Sequence, residues 1–118
     1  MLKESAIQRA IVEWANWEAK NDPRLEMLVH VPNQGARTGR FGFNLKRMGL
    51  KPGFPDLFLF VPVGQFAGLA LELKSEKGKL SDKQNWWLMK LQQHHYKTAV
   101  GYSVSDGVFH ITNYLMGR

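Results

Sequence analysis

The stretch GLALELKSEKGKLSDKQ, Gly68 to Gln84, decides the fold, and it contains a contradiction. Leu69 to Ser75 reads as a core strand, yet a glutamate and a lysine stand in it with one residue between them. Side chains alternate across a strand, so Leu69, Leu71 and Leu73 share one face while Ala70, Glu72 and Lys74 share the other. The leucine face belongs to a core. Burying a charge on the other face is expensive unless it is paired or bound to a metal. Spacing alone leaves two readings open: a solvated face of an edge strand, with Asp56 a turn residue after Pro55, or charges held together for chemistry. Downstream, Ser81 followed by Gln84 is a capping box, which opens a helix over SDKQNWWLMKLQQHHY.

Working outward, DLFLFV (56–61) is a second β-like run, and PVGQFAG joins the two as a hairpin. Such pairing brings Asp56 and Glu72 together near one end of the sheet, with Lys74 alongside. Residues 4–20 form an amphipathic helix on Ile7, Ala10, Ile11, Trp14 and Trp17, which Asn21-Asp22-Pro23 ends. LEMLVHV (25–31) reads as a short strand. A glycine-rich, arginine-bearing loop follows, PNQGARTGRFGF, then a helical turn around Asn44 to Met48 and a second loop, GLKPGFP. TAVGYSV is a further strand. SDGVFHITNYLM reads as a helix on Val108, Ile111 and Leu115, although Asp106-Gly107 equally suits a hairpin turn. The four tryptophans are expected mostly in the core, with one of Trp86 and Trp87 packed inward. The four histidines show no ligand spacing and belong at the surface or core edge.

The chain has 118 residues, enough for one domain with one modest core, and no repeat or boundary divides 1–118. With 44% apolar and 22% charged residues, disorder is not expected. The absence of cysteine excludes disulfides and thiolate metal sites and fits a reducing, cytoplasmic setting. No apolar run approaches the roughly 20 residues of a membrane helix, and the start of the chain is not a signal peptide. A soluble protein without a membrane role is expected. The net charge of +6 is unevenly spread: residues 24–53 sum to +5, residues 54–76 to −2, and residues 77–97 to +4. A small acidic island between basic blocks suits a divalent cation flanked by a polyanion such as nucleic acid.

Two carboxylates and an ammonium near one point are the parts that phosphodiester hydrolysis needs. Hard cations such as Mg²⁺ take carboxylate oxygens, and a lysine beside them steadies developing negative charge. The order of motifs then carries a resemblance. Pro55-Asp56 followed by Glu72-Leu73-Lys74 resembles the PD-(D/E)xK nuclease signature. With the early Glu4 and Gln8, PNQG (32–35), GLKPGFPDL (49–57), LELK (71–74) and GKLSDKQ (78–84), the chain resembles the VRR-NUC branch of that superfamily over roughly residues 4–102.

The resemblance implies an α/β, restriction-endonuclease-like fold, a central mixed sheet flanked by helices. It implies that Asp56 and Glu72, with the backbone carbonyl of Leu73, hold Mg²⁺ or Mn²⁺, that Lys74 is the catalytic lysine, and that Gln84 orients the site. Glu4 would be an additional acid near the metal, although an acidic first turn also suits the helix dipole. Gln84 is equally explained by its cap. Arg37, Arg40, Lys46, Arg47 and Lys51 before the acidic island, and Lys77, Lys79 and Lys83 after it, could hold phosphates. Asn33 and Gln34 could add polar contacts. The implied activity is hydrolysis of DNA to 5′-phosphate and 3′-hydroxyl ends. Similar small stand-alone enzymes, which suit a phage-type origin, resemble Holliday junction resolvases and act as homodimers on branched DNA. Two rivals stay open: a sequence-specific restriction-type endonuclease, and a catalytically silent DNA-binding module.

Overall fold

Three alternate leucines make the run Leu69–Leu73 a strand that can bury a whole face, and it stands inside the sheet with a neighbour on each side. The computed structural model describes residues 2–32 and 44–118. In chain order these form α1 (Glu4–Glu18), a short 3₁₀ helix (Pro23–Met27) and β1 (Leu28–His30). After them come β2 (Leu57–Leu59), β3 (Leu69–Leu73), α2 (Asp82–Gln93), β4 (Lys97–Gly101) and α3 (Val104–Leu115). The sheet order is β1-β2-β3-β4; the first two pairings are antiparallel and β3–β4 is parallel. The parallel pair requires a crossover, and α2 supplies it. A mixed sheet flanked by helices is the architecture expected from sequence.

Both faces of the sheet are covered. Leu57, Leu59, Leu69, Leu71 and Leu73 pack against Ile7, Ile11 and Ala15 of α1 and Ile111, Tyr114 and Leu115 of α3. On the opposite face Phe58 and Ala70 meet Leu91 of α2, with Phe54 and Tyr96 against them. Each fully buried leucine or isoleucine contributes roughly 1.5–3 kcal/mol. The α1 stripe runs through residues 7, 11 and 15, and at 100° per residue Trp17 lies roughly 120° from its centre. Trp17 is accordingly 65% exposed, with the Lys20 ammonium 3.6 Å over its ring, rather than in the core.

One local reading changes, and one open alternative is settled. The segment expected as one strand over 25–31 begins as the 3₁₀ helix, because Asp22 caps it by accepting from the Arg24 backbone N–H and Pro23 starts it. Arg24 also forms an ion pair with Asp22 at 2.8 Å and donates to the Leu115 carbonyl, tying this turn to the end of α3. The C-terminal segment is the helix rather than the hairpin. Ser103 caps it, and Gly107 lies within it. Glycine in a helix costs about 1 kcal/mol against alanine. Here a Cβ at Gly107 would lie 2.4 Å from Ile11 Cδ1, so the glycine lets α3 approach α1. Among the described residues no helix is long and apolar enough to cross a membrane.

Gly107→Ala therefore reverses the usual sign of a helix-propensity substitution. Overpacking of about 1–3 kcal/mol outweighs the propensity gain of about 1 kcal/mol, so a net loss of up to about 2 kcal/mol is expected, read as a lower midpoint in urea unfolding; an unchanged or raised midpoint would contradict this packing.

Candidate active site

The site follows from strand register. Leu57 pairs with Leu71 in the antiparallel β2–β3 ladder, so Asp56, one residue before Leu57, falls opposite Glu72. The Asp56 Oδ2 accepts a hydrogen bond from the Leu73 backbone N–H at 2.8 Å. That bond fixes the first carboxylate against the strand carrying the second. Pro55, buried, leads directly into Asp56. The edge-strand reading of Glu72 does not hold, since β3 has β2 on one side and β4 on the other.

Glu72 is 1% exposed, the buried charged residue among the described residues. Its Oε2 is buried without a hydrogen-bond partner. Burial foremost, and the Asp56 carboxylate beside it, push the Glu72 pKa up to about 10, against a smaller opposing pull from the Lys74 ammonium. At neutral pH the side chain is thus held protonated in the absence of a cation. Lys74 follows β3, half-buried, its backbone N–H bonded to the Gly101 carbonyl at 2.9 Å. Gly78 gives the lysine stem room: a Cβ there would lie 3.2 Å from Lys74 Cδ.

The donor set fits a hard divalent cation. Two carboxylates face each other at the sheet's interior, and Glu72 Oε2 is buried with no hydrogen-bond partner, an arrangement that costs stability unless a proton or a cation is shared between them. Asp56, Glu72 and the Leu73 carbonyl are the residues that would hold it. Glu4 stands farther out: it is exposed, and its Oε2 lies 3.4 Å from the Ser75 backbone N–H. Among the described residues no group of three or more carboxylates or imidazoles converges on one point.

Gln84 is held by its cap. Its Oε1 accepts from the Ser81 N–H at 2.8 Å, while its own N–H donates to Ser81 Oγ at 3.2 Å. The loop before Asp56 packs directly on this turn. Gly53 has φ +84, and a Cβ there would lie 2.8 Å from Lys83 Cβ and 3.1 Å from the Gln84 nitrogen. Trp87 Nε1 donates to the Pro52 carbonyl at 3.2 Å, closing the same contact. Lys46, Arg47, Lys51, Lys77, Lys79 and Lys83 are all exposed. Asn33, Gln34, Arg37 and Arg40 lie outside the described residues.

Sequence reasoning missed His30. Its Nδ1 sits 2.8 Å from the Asp56 carbonyl oxygen, so the ring holds the backbone of the first acid from the β1 side. No motif points to it; only the pairing of His30 with Leu57 does.

The sign of the Glu72 shift sets a pH dependence. Because its folded pKa lies above the unfolded value, the folded state retains a proton that the unfolded state releases. Stability from this group is full below about 4.5 and is lost as pH rises toward about 10. In EDTA, wild-type stability is expected to fall by up to about 1.4 kcal/mol per pH unit between pH 6 and 8. Glu72→Gln is expected to remove that slope and to melt above wild type at pH 8. Equal slopes in thermal melts of the two proteins would contradict this account.

Comparisons with known proteins agree with the geometry. No curated protein matches the chain. A solved structure described as a VRR_NUC domain protein superposes with a TM-score of 0.83 at 24% identity, covering 99% of this chain and 91% of that one, which establishes the fold. The model of the VRR-NUC domain matches residues 2–105, the span that holds Asp56, Glu72, Lys74 and Gln84. The chain belongs to the VRR-NUC family, whose domain is of the nuclease type.

Proposed function

We propose that this protein is a divalent-cation-dependent endodeoxyribonuclease that hydrolyses phosphodiester bonds, acting as a homodimer on branched DNA of the Holliday-junction type. The observation that carries the reading is the buried Glu72 Oε2, partnerless beside Asp56. A domain that only bound DNA would gain nothing from this arrangement. Keeping Glu72 from ionising at neutral pH costs stability that the unfolded chain does not lose.

Asp56 would hold Mg²⁺ or Mn²⁺ from a position fixed by the Leu73 N–H and by His30. Glu72 would give up its proton to join it. A bound cation would supply Lewis-acid stabilisation to the phosphoryl oxygens and make a nearby water more acidic. Lys74 places an ammonium near Glu72, where it steadies negative charge growing on the phosphate. Gln84 fixes the helix turn against which the Asp56 loop packs. Lys51 and Lys83 on one side, and Lys77 and Lys79 after the strand, would hold flanking phosphates. Glu4, near Ser75, would act from the outer edge of the same site. Two symmetric copies would place two such sites on the paired strands of a junction.

The test is cleavage of a labelled four-way junction, a matched linear duplex and a single strand, in Mg²⁺, Mn²⁺ or EDTA. Cutting that favours the junction, ceases in EDTA and falls about 100-fold or more in Lys74→Ala is expected. Binding without cutting in either metal would overturn the enzyme reading. A single cut at one sequence on linear duplex would replace junction selectivity with restriction-type specificity.

A further inference from the structure

Trp86 is a large aromatic side chain left 48% exposed on α2, immediately before a tryptophan that is packed. Residues 83, 86, 87 and 90 fall on one stripe of the helix. Trp87 turns inward, its Nε1 on the Pro52 carbonyl and its ring edge-on to Phe54 at 5.0 Å. Trp87 in turn fixes Trp86, the two indoles standing nearly perpendicular at 86° with centroids 5.1 Å apart. The exposed indole is therefore held in place by its neighbours.

Together the indoles wall a groove of about 570 Å³, completed by Lys51, Pro52, Asp82 and Lys83. That volume lies within the range of ligand-binding clefts, about 300–1,000 Å³. They also wall a second groove, of about 460 Å³, which includes Lys90. The Lys90 ammonium lies 5.6 Å from the Trp86 ring centroid. Three lysines against one aspartate select an anionic occupant, and an exposed indole among them selects one with a flat aromatic face. A nucleotide has both.

The groove borders the loop that leads into the first acid of the site already described. Pro52, which lines the groove, precedes Asp56 by four residues, a span of at most about 14 Å. A stacked strand rises about 3.4 Å per nucleotide, so that reach corresponds to about four nucleotides.

We propose that Trp86, with Lys51, Lys83 and Lys90, forms a stacking subsite for one unpaired nucleotide, within about four nucleotides of the phosphate held at Asp56 and Glu72. This assignment rests on the nuclease reading and deepens it. An unpaired base offers a free face to the indole, and a base in intact duplex does not. The subsite therefore selects DNA with unstacked nucleotides at a branch, a tail or an end. The lysines hold its backbone without regard to sequence.

The experiment compares two fluorescent DNA probes in EDTA by anisotropy: a duplex carrying a short unpaired tail, and a fully paired duplex of equal length. Wild type is expected to prefer the tailed probe. In Trp86→Ala the ratio of the two affinities should fall about tenfold, the loss typical of one base stack. Trp86→Phe should restore most of it. Lys83→Ala should weaken both probes alike and flatten the salt dependence. Thermal melts of each variant show that it is folded. A ratio unchanged in Trp86→Ala would overturn the subsite, and so would an equal loss on both probes, which would leave the ridge to a protein partner. Because binding is read without turnover, a protein that cuts nothing fails the nuclease reading alone. A cutting enzyme whose ratio ignores Trp86 fails the subsite alone.

Discussion

Glu72 lies in the middle of the sheet with Asp56 across the β2–β3 pair, and that juxtaposition of two carboxylates constrains the elements around it. Two ionised carboxylates cannot share a dry interior without a cation or a proton between them. In this protein the proton is retained, with the Glu72 pKa at about 10. The leucines of β2 and β3, with α1 and α3 over them, provide the apolar burial that offsets the cost. On the other face Leu91 of α2 packs on Phe58 and Ala70, and Glu72, which shares the Ala70 face of β3, is shielded from solvent. Stability and chemistry oppose each other at one residue.

The surrounding glycines serve the same arrangement by permitting close approach. Gly107 brings α3 against α1 beneath the leucine face, and Gly53 seats the Asp56 loop on the first turn of α2. Through Gly53 and the Trp87–Pro52 hydrogen bond, the capping box of α2 and the first acid form one packed unit. Gln84 acts here first as a structural residue. Its amide oxygen is committed to the Ser81 N–H.

Much of this was legible in the sequence, for physical reasons. The period-two alternation of Leu69, Leu71 and Leu73 fixes both the strand and the face, and the spacing to Asp56 then forces the convergence that a hairpin makes. The S-x-x-Q cap marks the start of α2 without ambiguity. What was not legible depends on partners distant in the chain. His30 acts on a backbone carbonyl 26 residues away, which no side-chain pattern encodes. Trp17 reads as a core residue in a count of aromatics, and the count leaves open which of Trp86 and Trp87 packs inward. Only the orientation of each helix on the sheet settles that Trp87 and the Ile7–Ile11–Ala15 stripe go inward instead. Leu25 is buried as a strand residue would be, but the Asp22 cap closes it into a 3₁₀ turn.

The register of β2 on β3 sets Asp56 and Glu72 where together they would hold a cation. Crystals soaked in Mn²⁺ and measured at its absorption edge test this without reference to any substrate. An anomalous peak is expected between the Asp56 carboxylate and Glu72 Oε2, beside the Leu73 carbonyl, and it should disappear in Glu72→Gln. A fully occupied Mn²⁺ peak elsewhere in the protein, or none between the two carboxylates, would contradict it.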